Sequence, residues 1–397
     1  MEGYLLDWAN LLLRWLHVIV AIAWIGSSFY FVWLDNSLKA PKDAELKEKG
    51  VGGELWAVHG GGFYNPQKYL GAPRNLPEDL HWFYWESYST WLSGFGLFSV
   101  LYLFNPKVFL IDPNVANLTP TVAVILALAF LGVGWLVYDV LCRALQKKEG
   151  LLAVLVVAYV IIASWAACNL FSGRAAFLII GAMIATIMSA NVFFWIIPGQ
   201  RKVVAAMKAG QPVDPIHGQR AKQRSVHNTY FTLPVLFTML SNHYNMTYSH
   251  PHNWLVLVLI MVAGVLIRQF FILRHKSVVN LVYPLVAVAM LAGVVAWIAP
   301  SKPATSGPAA AAETPVDMAQ IKPVIDKHCI QCHAAKPTLM PTAAKGVLFD
   351  QPEQIKSQAQ LIYQQVVMQK SMPLGNITNM TDEERALIGR WYQGGAQ

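Results

Sequence analysis

Near the end of the chain, Cys329, Ile330, Gln331, Cys332 and His333 form a CxxCH. Two thiols one helical turn apart can each add to a haem vinyl group, and the adjacent imidazole can bind the iron. A redox dithiol would need a thioredoxin-like pattern around it, and a zinc site a second ligand pair; neither is found. The stretch therefore predicts a covalent c-type haem on Cys329 and Cys332, with His333 as one axial ligand. Met372, inside Ser371-Met372-Pro373-Leu374-Gly375, supplies the other, because a Pro-bounded loop holds a thioether rigidly. Met340 stands too close to the CxxCH and Met368 lies in an apolar helical run. A His/Met pair favours electron transfer over oxygen binding. Because c-type haem is attached outside the cytoplasmic membrane in bacteria, this end of the chain is expected in the periplasm.

The elements that carry this group must be read from composition. Of the 397 residues, 55% are hydrophobic and only 13% charged, against about a quarter charged in soluble proteins. This is membrane-protein composition. Apolar segments at 4–34, 82–104, 119–141, 151–171, 175–197, 226–244, 253–273 and 278–299 predict eight spans. With the C-terminal end periplasmic, an even number of spans puts the N-terminus there too. The loops then assigned to the cytoplasm, 35–81, 142–150, 198–225 and 274–277, carry 6, 3, 6 and 2 Lys/Arg, while the intervening loops on the other side carry only Lys107 and Arg174. The positive-inside rule thus gives the same orientation as the haem. The formal charge of +8 belongs wholly to this part, since residues 313–397 hold equal numbers of acidic and basic residues. That placement is a topology signal and argues against nucleic acid as a partner.

The expected architecture is all-α: a polytopic membrane bundle over 1–299, a Pro/Ala-rich linker over 300–315, and a small all-α cytochrome c domain, similar to class I, over 316–397. The expected location is the bacterial inner membrane, with lipid around the bundle. Thr381 and Glu384 make a capping box that starts a last helix running to about Tyr392. Cys142 and Cys168 sit in apolar segments and read as buried thiols.

Ionisable residues inside spans are functional candidates. His17 lies one turn from Arg14 on the first span and is either a ligand or a hydrogen-bonded core histidine. His227 and His243 sit at opposite ends of the sixth span, which Pro234 interrupts. On the cytoplasmic side gather His59, His81, Glu86, Arg220, Lys222, Arg224 and His227. Such a set suits a planar anion, with Arg giving forked hydrogen bonds and His or Glu moving a proton. Arg220 and Lys222 are discounted as topology signal, while His59 precedes three glycines that let backbone approach a ligand.

Several of these stretches together resemble the membrane-bound bacterial urate oxidases, or urate hydroxylases. They are Arg14-Trp-Leu-His17 with Trp24-Ile-Gly26, His59-Gly-Gly-Gly-Phe-Tyr64, Leu80-His-Trp-Phe-Tyr-Trp-Glu86, His227-Asn-Thr-Tyr-Phe-Thr-Leu-Pro234, Ser241-Asn-His-Tyr244, the CxxCH and Met372-Pro-Leu-Gly-Asn376. The resemblance covers nearly the whole chain. It implies oxidation of urate to 5-hydroxyisourate, with electrons passed to the cytochrome domain and on to a respiratory acceptor such as a soluble cytochrome c or a terminal oxidase. His59, His81, Glu86, Arg224 and His227 are then the candidates for binding and proton transfer. A weaker similarity to membrane protoporphyrinogen oxidases raises a b-type haem on His17, with His243 as its partner, as an electron relay. Two other classes fit the same sequence: a cytochrome-coupled dehydrogenase of quinol or another small reductant, and a transporter or sensor with an accessory haem domain.

Overall fold

The computed structural model describes residues 2–69, 73, 76–299, 316–340 and 342–397; the linker expected over 300–315 lies outside them. The described residues are mostly helical, with 69% helix and 4% strand. Eight helical stretches stand where the eight spans are expected. They are α1 (Glu2–Ser37), α2 (Trp85–Phe98, extended by a π-helical turn Ser99–Leu103), α3 (Pro120–Ala144), α4 (Glu149–Cys168), the rod from α5 (Gly173–Ala190) through a π-helical turn Asn191–Ile196 into α6 (Ile197–Lys208), α7 (Pro215–Ser241), α8 (Asn253–His275) and α9 (Val282–Trp297).

Five of these, Trp8–Ser37, Pro120–Ala144, Glu149–Cys168, Gly173–Lys208 and Asn253–His275, are long and apolar enough to cross a membrane, and α9 is a shorter apolar helix. The α2 and α7 stretches are absent from that set. α7 is the polar helix of the group, with Arg220, Lys222, Arg224 and His227 in its first half. The long loop after α1 has structure of its own. It holds two small antiparallel pairs, β1 (Val51–Glu54) with β4 (Gln67–Tyr69) and β2 (Ala57–His59) with β3 (Gly62–Tyr64).

α5 is the central post. It is the most completely buried of the apolar helices, and its side chains Phe177, Ile179, Ile180, Met183, Ile184 and Ile187 are the heart of the larger core. Its approach to α7 depends on Gly181, where an added Cβ would lie 2.0 Å from Thr238 Oγ1. A second, separate core forms over residues 321–391 around Ile321, Ile325, Ile355, Ile388 and Trp391. Two helices frame it, α10 (Met318–His328) and α11 (Asp382–Gln393). The capping box expected at Thr381 is present: its hydroxyl accepts from Glu384 N, and the Glu384 carboxylate accepts from Thr381 N.

Glu384 also joins α11 to α10, with Lys327 Nζ 2.8 Å and His328 Nε2 3.0 Å from its carboxylate. Burial opposes its ionisation, but the bonds from Lys327, the Thr381 backbone and His328 outweigh it and hold its pKa down to about 2. A carboxyl lowered from its ordinary 4.5 contributes stability that is complete above about 4.5 and is lost as pH falls towards 2. Thermal unfolding followed by circular dichroism should therefore show acid sensitivity in that window, and Glu384→Gln should flatten it.

In the bundle, Gly181→Val should lower stability by about 1–3 kcal/mol through overpacking against Thr238, read as an earlier melt in detergent.

Candidate functional site

Where α3, α5 and α7 meet, the apolar bundle is interrupted by a buried polar network. Its centre is Arg224 of α7, 2% exposed, whose Nη2 lies 2.7 Å from Oδ1 of Asp139 on α3. Asp139, also 2% exposed, accepts from Trp195 Nε1 at 2.7 Å and pairs with Arg143 one turn along its own helix. The other guanidinium nitrogen of Arg224 donates to Asn191 Oδ1 at 3.4 Å. Asn191 Nδ2 in turn donates to Tyr138 Oη and to Asn228 Oδ1. Tyr138 Oη lies 2.8 Å from His227 Nδ1, and Cys142 Sγ is 3.9 Å from the same nitrogen.

The local sequence explains how these groups meet. Tyr138 and Asp139 are adjacent on α3, with Cys142 and Arg143 one turn on. On α7, Arg224, His227 and Asn228 occupy i, i+3 and i+4 and so share a face. Asn191 and Trp195 fall in the π-helical turn that links α5 to α6. Such a turn inserts an extra residue into a helix, and the feature is frequent at functional sites.

At its open end the network borders a cavity of about 230 Å³ lined by Cys142, Arg143, Gln146, Trp195, Arg220, Gln223 and Arg224. The guanidinium carbons of Arg143, Arg220 and Arg224 lie 5.1, 5.7 and 5.0 Å from the centre of the Trp195 ring. Three cations against one buried carboxylate leave this mouth positive, which concentrates small anions.

The structure brings Arg224 and His227 into one network and places the other sequence candidates elsewhere. His59 is exposed at the tip of the β2–β3 hairpin, where Gly60 and Gly61 form the turn and Gly62 pairs with it. His81 is exposed, with its ring 4.6 Å from that of Phe83. Glu86 opens α2, and its Oε2 is buried with no hydrogen-bond partner. His17 lies in the α1–α2 seam, with Nδ1 3.1 Å from both Thr90 O and Ser93 Oγ, against Gly94. His243 is exposed just past α7, beside Asn242, which accepts from Tyr102 and Arg174.

Tyr138, Asp139, Asn191 and Trp195 were missed by sequence reasoning. Asp139 carried a usable signal, being the one carboxylate in its span, where an ionisable residue is costly. The asparagine and the aromatics carried none.

In the smaller unit, Cys329 and Cys332 are free thiols at the end of α10. Burial, with the neighbouring Cys332 and Asp326, pushes the Cys329 thiol up to about 12. A redox dithiol needs the opposite, a thiol lowered towards neutrality. His333 Nδ1 lies 3.3 Å from Val347 O, which fixes the ring and leaves Nε2 for an iron. Met372, half-buried, packs against the same core. Arg385 donates to the carbonyls of Val366 and Met372 and so clamps the methionine loop. The donor set thus fits a covalent haem with His and Met ligation. Among the described residues no cluster of three or more His, Cys, Asp or Glu forms a metal site.

The described residues are mostly helical, with five helices long and apolar enough to cross a membrane and a buried cation-rich network among them. A family model described as Urate oxidase N-terminal matches residues 3–299. The chain belongs to that family. No curated protein and no solved structure matches the chain.

Breaking the central ion pair from one side should be costly. Asp139→Asn leaves the Arg224 cation buried without its counter-charge, an effect of about 3–5 kcal/mol, visible as a lower melting temperature in detergent. The double variant Asp139→Leu with Arg224→Met, which removes both charges, should recover much of that loss.

Proposed function

We propose that this chain is a membrane-bound urate oxidase that converts urate to 5-hydroxyisourate and passes the electrons to a c-type haem in its own C-terminal unit. The observation that carries this is the family match over residues 3–299, the segment that contains the buried network and its positive mouth. In this proposal residues 1–299 form the oxidising module, 300–315 a tether and 316–397 the electron-accepting domain, on the periplasmic side of the bacterial inner membrane.

The reaction adds one water to urate and releases two protons and two electrons. Urate is an anion at neutral pH, and the Arg143–Arg220–Arg224 cluster around Trp195 draws it to the bundle. His227 is the proton acceptor. In the tautomer with Nδ1–H donated to Tyr138 Oη, its Nε2 is free to take a proton. Tyr138 and Asn191 hold that ring in place, and Asp139 holds Arg224.

Cys329, Cys332, His333 and Met372 would hold the c-type haem, which supplies a one-electron acceptor, so two transfers follow each urate. The turn after Met372 rests against the bundle: a Cβ at Gly375 would lie 3.4 Å from Ile111 O. That contact supports electron transfer from the bundle into the methionine loop, past Ser172 and the carbonyls of Val108 and Ile111. His17 meets the requirement for a b-type haem ligand, since Nδ1 is engaged by Thr90 O and Nε2 is left over. For the His243 ring no partner that fixes it is present among the described residues.

Urate added without oxygen to the purified full chain should reduce the c haem, two equivalents per urate, seen in the reduced-minus-oxidised spectrum; no reduction refutes the proposal. Quinol in place of urate tests the competing dehydrogenase. His227→Gln should lower kcat about 10²–10⁴-fold with the haem spectrum unchanged.

A further inference from the structure

Arg224 has Asp139 and Asn191 as partners. A second buried guanidinium has none of that. Arg268 of α8 is 4% exposed, and its Nε and Nη2 are buried with no hydrogen-bond partner among the described residues. These two nitrogens form one edge of the guanidinium plane, the edge that grips a carboxylate-like group by two parallel bonds. The face of the group is covered by Phe29 of α1, 4.3 Å from the ring centre. Gln269, next in the chain, turns its Oε1 to Tyr230, from which it accepts at 2.5 Å. A cation this deep is sustained only by a compensating anion, and the described residues place none within ion-pair distance of it.

Two further atoms are orphaned in the same way. His275 Nδ1 lies seven residues, about two turns, beyond Arg268 on α8, and is a further buried ring nitrogen. Glu86 Oε2, on α2, is a buried acceptor. Both α2 and α8 pack against α1, which itself has no buried residue in its spanning part. Glu86 shares a helical face with Thr90 and Ser93, the residues that meet His17 of α1. The described residues thus leave unused a forked donor edge and a lone acceptor on the two helices that flank one outer helix.

We propose that urate is seated beneath α1, its anionic edge on Nε and Nη2 of Arg268 and one of its ring N–H groups donated to Oε2 of Glu86. A planar heterocycle that has both an anionic O–C–N edge and N–H donors is complementary to this arrangement, whereas a simple inorganic anion would satisfy Arg268 and leave Glu86 unpaired. Tyr230, one turn from His227 on α7, ties that helix to α8 beside Arg268 through its bond to Gln269. The inference rests on the urate reading above.

The test uses the full chain in detergent, with urate as the probe. Arg268→Lys keeps the charge and loses the fork, and should raise KM for urate about tenfold to a hundredfold while the c haem spectrum and its reduction by dithionite stay as in the wild type. Glu86→Gln should raise KM about tenfold, and it decides the matter if the lysine variant does not fold. A wild type that turns over urate, together with variants of unchanged KM, overturns the seat but not the function. Loss of a non-covalent haem from Arg268→Lys at unchanged KM also overturns it, giving the fork to a porphyrin carboxylate. A wild type that neither binds nor oxidises urate overturns both.

Discussion

The bundle depends on keeping one charge pair dry. Asp139 and Arg224 are each almost wholly enclosed between α3 and α7. Two isolated ions there would cost several kcal/mol each, so the pair depends on its mutual attraction and on the further hydrogen bonds around it. Trp195 and Arg143 complete Asp139, and Asn191 completes Arg224. Asn191 then commits its amide to Tyr138 and Asn228, which brings His227 into the same lattice. Helix packing around α5, the position of the π-helical turn and the orientation of the histidine are all fixed by that one demand for satisfaction.

The smaller unit solves a similar problem with different means. Its core of about a dozen apolar side chains is small, and a covalently attached planar group would supply much of the missing interior. The Glu384 hub ties the helix that leads into the CxxCH to the last helix, so the cysteines and the methionine loop are positioned from opposite ends of the sequence. Arg385, next in the chain, completes this by holding the Met372 carbonyl.

Much of the helical layout was legible because apolar runs have a length that physics sets, and each of the eight expected stretches is helical. The capping box at Thr381 was legible for the same kind of reason, being a local pattern with a local cause. The strands after α1 were not, since their pairs are three or four residues long and Gly-rich. The site was half legible. Arg224 and His227 share a helical face, which spacing alone can reveal, but their partners come from α3 and from the π-helical turn, 33 to 89 residues away. His59 and His81 looked equivalent to them only because a sequence shows side and not depth. Arg268 was overlooked although it is an arginine in an apolar run, where an ionisable side chain signals a task.

The π-helical turn between α5 and α6 has a consequence for how this protein can change. Because Asn191 and Trp195 both sit on a turn one residue wider than its neighbours, every residue of α6 is rotated by about 100° relative to an uninterrupted helix. Loss of a single residue there would straighten the rod, relieve the backbone and yet swing Trp195 away from Asp139. The length of the rod is therefore tied to the bond between Trp195 and Asp139. The one irregular turn of the helix thus keeps the pitch at which an indole and a carboxylate on different helices meet.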